Sequence, residues 1–99
     1  MEIIHLSDES KFKELIEKED KILVDFYAEW CGPCKMLAPV LEQATSIVKV
    51  IKVDTDEFDE LSREYGVMSI PTLVLLEHGK EVKRNIGFID KNNLENFLK

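Results

Sequence analysis

The two cysteines of this 99-residue chain stand three positions apart, in Trp30-Cys31-Gly32-Pro33-Cys34-Lys35. They follow directly on the apolar run Ile22-Leu23-Val24-Asp25-Phe26-Tyr27-Ala28, where a strand should give way to a helix. On the first turn of a helix, side chains at i and i+3 lie about 5–6 Å apart between Cβ atoms. A disulfide needs about 3.5–4.5 Å, so a small adjustment closes the bond and the pair suits a reversible two-electron couple. As a structural staple the bond would do little: so small a ring stabilises by about 2 kcal/mol, against roughly 4.7 for a 100-residue loop. A structural zinc site wants four ligands, and His5 and His78 are isolated rather than spaced as a pair. No metal site is expected, and the spacing favours redox chemistry over a staple or a metal site.

Two charges interrupt strands that are otherwise apolar. Asp25 shares a strand face with Leu23 and Tyr27, and Lys52 shares one with Val48 and Val50. A buried carboxylate is costly unless it is paired or protonated. Burial drives its pKa up, whereas a nearby ammonium pulls it down. Six residues before Cys31, Asp25 is a candidate for proton transfer. Either charge could instead sit at a sheet edge and reach water, an alternative that spacing leaves open for Lys52 above all. Trp30, in the turn before the cysteines, fits exposure on a contact surface as well as burial. Met36 and Met68 fit ordinary filler or groove positions, and His5 and His78 have no recognisable partners.

Alternating short apolar runs and helical stripes supply the frame for these residues. Ile3 to Leu6 reads as a first strand, followed by a helix capped at Ser7 or Ser10 with the stripe Phe12, Leu15 and Ile16. Lys21 to Tyr27 is a strand covered on both faces. A second helix starts near Pro33, a residue favoured at a first helical position. It carries Leu37, Val40, Leu41 and Ala44, and Pro39 inside it should kink it. Ile47 to Val53 is the next strand. Phe58, Leu61 and Tyr65 mark a third helix ended by Gly66. Leu73–Leu76 and Glu81–Ile86 flank the hairpin signal His78-Gly79-Lys80, and Leu94, Phe97 and Leu98 mark a closing helix. The order β-α-β-α-β-α-β-β-α requires parallel crossovers first and an antiparallel hairpin last. The expected architecture is α/β, a central mixed five-stranded sheet flanked by four helices, in one domain spanning residues 1–99.

Composition bounds the function. Hydrophobic content of 44% and charged content of 33% are those of a soluble globular chain. No apolar stretch approaches the ~20 residues of a membrane span. The start Met1-Glu2-Ile3-Ile4-His5 has no basic segment before an apolar one, so no secretory signal is expected. A chain complete as given is expected in the cytosol, where cysteine pairs tend to be catalytic. The net charge of −7 argues against nucleic acid as a main partner.

The chain resembles the thioredoxin family over nearly its whole length. Val24-Asp25-Phe26-Tyr27-Ala28-Glu29-Trp30-Cys31-Gly32-Pro33-Cys34-Lys35-Met36-Leu37-Ala38-Pro39 is similar to that family's active-site stretch almost letter for letter. Lys52-Val53-Asp54-Thr55-Asp56, Tyr65-Gly66-Val67, Ile70-Pro71-Thr72, Gly79 and Gly87 fall in the family's order. The Gly32-Pro33 pair resembles the reducing members, whereas disulfide isomerases and periplasmic oxidants typically carry other dipeptides. Three features depart from the pattern: Tyr27 replaces a second tryptophan, Ser69 replaces a glycine or alanine, and the Pro39–Lys52 segment is about one helical turn short. The second helix is therefore expected to end early, near Ser46.

The resemblance implies a dithiol–disulfide oxidoreductase that reduces disulfides in target proteins. Cys31 would be the exposed attacking thiol and Cys34 the buried resolving one, with Gly32 and Pro33 tuning the couple. Asp25 would accept the proton of Cys34, with Lys52 adjusting it. Pro71 would be cis, although X-Pro bonds are cis in only about 5–6% of cases. Ile70 would offer its backbone to an extended substrate beside Trp30, Pro33, Pro71 and Gly87. The implied partners are disulfide-containing proteins and a separate thioredoxin reductase; the protein would be a cytoplasmic monomer needing no cofactor, nucleic acid or membrane. Two other readings remain open at this point: a binding subunit of the same fold, and a dedicated electron donor to one enzyme.

Overall fold

The computed structural model describes residues 2–99. Its elements are β1 (Ile3–His5), α1 (Glu9–Lys18), β2 (Lys21–Tyr27), α2 (Gly32–Ala44), β3 (Lys49–Asp54), α3 (Asp59–Glu64), β4 (Thr72–Glu77), β5 (Lys80–Ile86) and α4 (Lys91–Phe97). The strands form one sheet in the order β1-β3-β2-β4-β5, parallel across β1, β3 and β2 and antiparallel from β2 to β4 to β5. This is the expected mixed five-stranded sheet with four helices.

Alternation along the strands sends side chains to two separate cores. Ile22, Val24 and Phe26 of β2 join Ile51, Val53, Val74 and Leu76 against Phe12 and Ile16 of α1 and Leu61 of α3. Leu23 joins Val50, Leu73 and Leu75 against Leu37 and Leu41 of α2 and Leu94 and Leu98 beside α4. Asp25 belongs by alternation to the second set, the face covered by the helix that carries Cys34. The grouping with Leu23 follows from sequence periodicity, whereas the packing of α2 over that face is a property of the tertiary structure.

Several boundaries differ from the sequence expectation, each for a local reason. The N-cap of α1 is Asp8, not Ser7 or Ser10; its carboxylate accepts the Ser10 backbone N–H at 3.0 Å and the Ser10 hydroxyl at 2.8 Å. A carboxylate in that place satisfies a helix-terminal donor and meets the positive end of the helix dipole. β3 begins at Lys49 because α2 ends at Ala44 in a turn whose bonds run from the N–H groups of Ile47 and Val48 to the Ala44 carbonyl. Ile47 is consequently exposed. α2 runs unbroken from Gly32 through Pro39, whose missing N–H leaves the Lys35 carbonyl without its helical partner. β4 and β5 close directly at Glu77 and Lys80, since His78 (φ 52°) and Gly79 (φ 80°) both take the positive φ that a two-residue type I′ hairpin requires. Val82 drops out of the β4–β5 pairing at an irregularity opposite Leu75 and Leu76, which leaves it half exposed.

Candidate functional site: a disulfide at a helix N-terminus beside a buried carboxylate

β2 ends at Tyr27, and the turn Ala28–Trp30 delivers the chain to α2, closing with the Cys31 N–H on the Ala28 carbonyl at 3.2 Å. Cys31 occupies the N-cap of α2, with Gly32 and Pro33 in its first turn. Pro33 has no N–H to offer, so the first side-chain cap bond comes from Cys34, whose N–H lies 3.2 Å from Cys31 Sγ. The two sulfurs are bonded in a disulfide, with 5.2 Å between the Cα atoms. Sequence spacing and helix geometry thus converge on the observed pair.

One expectation is corrected. Cys31 was expected exposed and Cys34 buried, yet each is only 4% accessible. The loop before β4 covers Cys31: the Ile70 carbonyl oxygen lies 3.9 Å from its Sγ, and Ile70 packs with Tyr27 against Ala28, Cys31 and Cys34. What distinguishes the two sulfurs in this oxidised form is the helix N-cap and the Cys34 amide, not accessibility.

The Ile70-Pro71 peptide bond is cis, as the family resemblance implies and as bond statistics alone did not favour. The Pro71 carbonyl accepts the Gly87 N–H at 2.8 Å, and Gly87 (φ 96°) has the backbone that glycine adopts most readily. Ile70, Pro71 and Gly87 therefore form one bonded rim beside the disulfide. Trp30 is 70% exposed, so the burial alternative fails. Gly32 and Pro33 are exposed beside it.

Below the disulfide, Asp25 is 1% exposed and neither carboxylate oxygen has a hydrogen-bond partner among the described residues. Its register partner on β3 is Lys52, whose Nζ lies 3.9 Å from Asp25 Oδ2. The sheet-edge reading of Lys52 fails, because β3 lies between β1 and β2. Burial pushes the Asp25 carboxyl up to about 6, with the Lys52 ammonium opposing that shift in part. A cavity of about 240 Å³ reaches this region from solvent, lined by Cys34, Lys52, Tyr27, Glu29, Lys35 and Ala38 among others.

Sequence reasoning missed two groups. The Asp56 carboxylate accepts the Trp30 indole N–H at 2.8 Å, and Asp56 is itself turned by its N–H bond to Asp54 Oδ1 at 2.9 Å. Nothing in linear spacing couples positions 30 and 56; only the β2–β3 register does. Beyond Trp30 lies a cleft of about 520 Å³ walled by Asp56, Asp59, Arg63, Met68 and Ile70. Met68, at 96% exposure, belongs to that rim, which selects the groove position over the filler one that its sequence context also allowed.

The profile of the thioredoxin family matches residues 2–99. The chain belongs to the thioredoxin family. It is 42% identical to the thioredoxin of Mycoplasmoides gallisepticum, over 96% of this chain and 98% of that one. Against the thioredoxin of Bacillus subtilis it is 43% identical, over 99% and 96% of the two chains. Among solved structures, a mutant thioredoxin from Halobacterium salinarum superposes with a TM-score of 0.92 at 36% identity, covering 98% of this chain and 88% of that one. The oxidised thioredoxin of Plasmodium falciparum gives 0.87 at 31% identity, covering 97% and 94%. Membership of the thioredoxin family together with a bonded Cys31–Cys34 pair makes the chain a dithiol–disulfide oxidoreductase with protein-disulfide reductase activity.

Proposed function

We propose that the reduced protein attacks target disulfides through Cys31 and resolves them through Cys34. The observation that carries this reading is the Cys34 N–H directed at Cys31 Sγ from the N-terminus of α2. An unperturbed thiol with pKa ≈ 8.5 is only about 3% ionised at pH 7. A donor amide and the partial positive charge of a helix N-terminus both favour the anion, and both act on Cys31 rather than Cys34.

In the first step the Cys31 thiolate displaces one target sulfur as a thiolate and forms a mixed disulfide. Cys34, giving its proton to Asp25, then attacks Cys31 Sγ and releases the second target sulfur. Two electrons pass to the target, and Cys31–Cys34 is left oxidised. The position of Asp25 supports this role: a carboxyl held near 6 is poised to take a proton around neutral pH, and the cavity touching Cys34 and Lys52 gives a route to solvent. Lys52 limits how far burial raises that carboxyl. Gly32 and Pro33 set the amide geometry at the sulfur, and Trp30, Ile70, Pro71 and Gly87 form the docking rim, with Ile70 offering backbone groups to an extended segment.

Physiological partners in this reading are proteins with accessible disulfides and a thioredoxin reductase that returns electrons to the pair. The protein acts as a monomer and a single domain, and a reducing compartment such as the cytosol suits it, because there the dithiol can be regenerated. Insulin reduction with a chemical reductant as electron source tests the reading. Wild type should accelerate precipitation of the insulin B chain, and the double variant Cys31→Ser/Cys34→Ser should not. Equal activity of the two forms would defeat it.

A further inference from the structure

The ammonium of Lys52 has two neighbours, and only one of them is a carboxylate. Its Nζ lies 4.5 Å from the centroid of the Tyr27 ring and 3.9 Å from Asp25 Oδ2. Both distances are fixed by strand register. Asp25 and Lys52 are direct partners across β2 and β3, and Tyr27 stands two residues beyond Asp25 on the same face of β2. The Lys52 side chain is 13% exposed, so its cation is largely desolvated, the condition in which attraction to an aromatic face is strongest.

We propose that Tyr27 is a positioning residue that holds the Lys52 ammonium against Asp25. The geometry gives a reason why such an anchor matters. At 3.9 Å there is no hydrogen bond to tie the ammonium to the carboxylate, and a four-carbon stem could swing the charge into the cavity that Lys52 and Tyr27 both line. In that cavity the ammonium would exchange the carboxylate for water and for Glu29, which lies on the same wall. The ring face blocks this excursion and leaves Asp25 as the nearest anion.

The other charges around the pair are few. Burial and then the carboxylates of Asp54, Glu29, Asp25 and Glu57 push the Tyr27 phenol above its ordinary value, so the ring is neutral. Lys35 of α2 lines the cavity with Cys34. Leu73, the partner of Asp25 on β4, carries no charge, nor do Leu37, Leu41, Leu94 and Leu98 on the helix-packed face. His5, the partner of Lys52 on β1, is exposed, and among the described residues Lys52 is the one cation that opposes the effect of burial on Asp25.

The proposal rests on the reading of Asp25 as proton acceptor for its relevance to the reaction, but its test reads the ammonium and the carboxyl directly. In oxidised wild type, the ε-methylene protons of Lys52 should be shifted upfield of the other lysines by the Tyr27 ring current. In the carbon-detected carboxyl titration, Tyr27→Leu should raise the Asp25 midpoint by about half a pH unit, while Tyr27→Phe keeps it within a fraction of that. In a Lys52→Met background, Tyr27→Leu should add nothing further. Absence of the upfield shift in wild type, an unchanged midpoint in a folded Tyr27→Leu, or a shift that persists without Lys52 would each overturn the proposal. The wild-type ring-current measurement needs no variant to fold. Stopped-flow resolution of a mixed disulfide reports separately on Asp25: if the carboxyl midpoint moves and the resolving step does not, the acceptor reading fails and the anchor stands.

Discussion

Asp25 and Lys52 face each other across β2 and β3, yet the ammonium stops 3.9 Å from the carboxylate and neither carboxylate oxygen is hydrogen-bonded within the described chain. The pair is close enough to lower the cost of burying the carboxylate and too far apart to cancel it. A fully bonded ion pair would have held Asp25 ionised at all working pH values. The looser arrangement leaves it near 6, with burial the larger influence and Lys52 the opposing one.

Stability should respond to pH through this group. The folded value of about 6 lies above the ordinary 3.8, so the folded state binds the proton more tightly than the unfolded one. The unfolding free energy therefore falls as pH rises from about 4 through 6, by on the order of 3 kcal/mol, and levels off above. Asp25→Asn in the oxidised protein should lack this fall and be the more stable form at pH 7 to 8. Urea midpoints measured from pH 4 to 8 check it; curves for the two forms that stay parallel over the whole interval would contradict it.

The same substitution should divide the catalytic steps. Asp25→Asn should slow resolution of the mixed disulfide by about 100-fold, the low end of what a positioned base contributes, and leave the first attack largely intact. Stopped-flow traces of both steps against pH separate them. Equal slowing of both would make Asp25 structural.

Cys34→Ser should trap targets as stable mixed disulfides, because attack proceeds and resolution does not. Cys31→Ser should abolish reduction, since Cys34, the sole remaining thiol, has neither the N-cap position nor the amide contact that favour a thiolate at Cys31. Limiting alkylation of the reduced wild type should label Cys31 first; preferential labelling of Cys34 would reverse the assignment.

Trp30→Ala should weaken reduction of protein disulfides by about tenfold or more, as for an aromatic anchor at an interface. It should leave reduction of a small aromatic disulfide within about twofold, since the one polar group of the indole is committed to Asp56 rather than to the sulfurs. A Trp30 effect of equal size on both substrates would place it in the thiol chemistry rather than in docking.

Gly87→Ala should cost about 1–2 kcal/mol, because φ of 96° disfavours an L side chain even though no atom lies within 4 Å of the new Cβ. Relief of that strain would move the Gly87 N–H from the Pro71 carbonyl and loosen the rim. Chemical denaturation and protein-substrate KM should both respond, with small-disulfide turnover spared.

Legibility from sequence followed the reach of each interaction. β2 was readable to the residue because Lys21–Tyr27 is one apolar run, and α2 because Pro33 marks a helix start. The grouping of Asp25 with Leu23 and Tyr27 was readable from alternation, but that α2, with Cys34, covers that face was not. The cap at Asp8 was not, since three neighbouring residues could all serve and only the chain's entry angle selects one. The low accessibility of Cys31 depends on a loop 39 positions away, and the Trp30–Asp56 bond on a contact 26 positions away. Such contacts are set by sheet order, which local patterning does not encode. The cis bond at Pro71 was legible only through family resemblance.

β2 is hydrogen-bonded along both edges, to β3 on one side and β4 on the other, and residues 22 to 26 are almost wholly buried. Its amides should exchange with deuterium only when the whole fold opens, whereas those on β1 and β5, each with one free edge, can exchange through partial opening. The carboxylate sits on this slow-exchanging strand, and the turn to the sulfurs leaves directly from its end. Breathing at the sheet margins can therefore reshape the surface offered to a partner while the distance from the carboxyl to the redox turn stays constant.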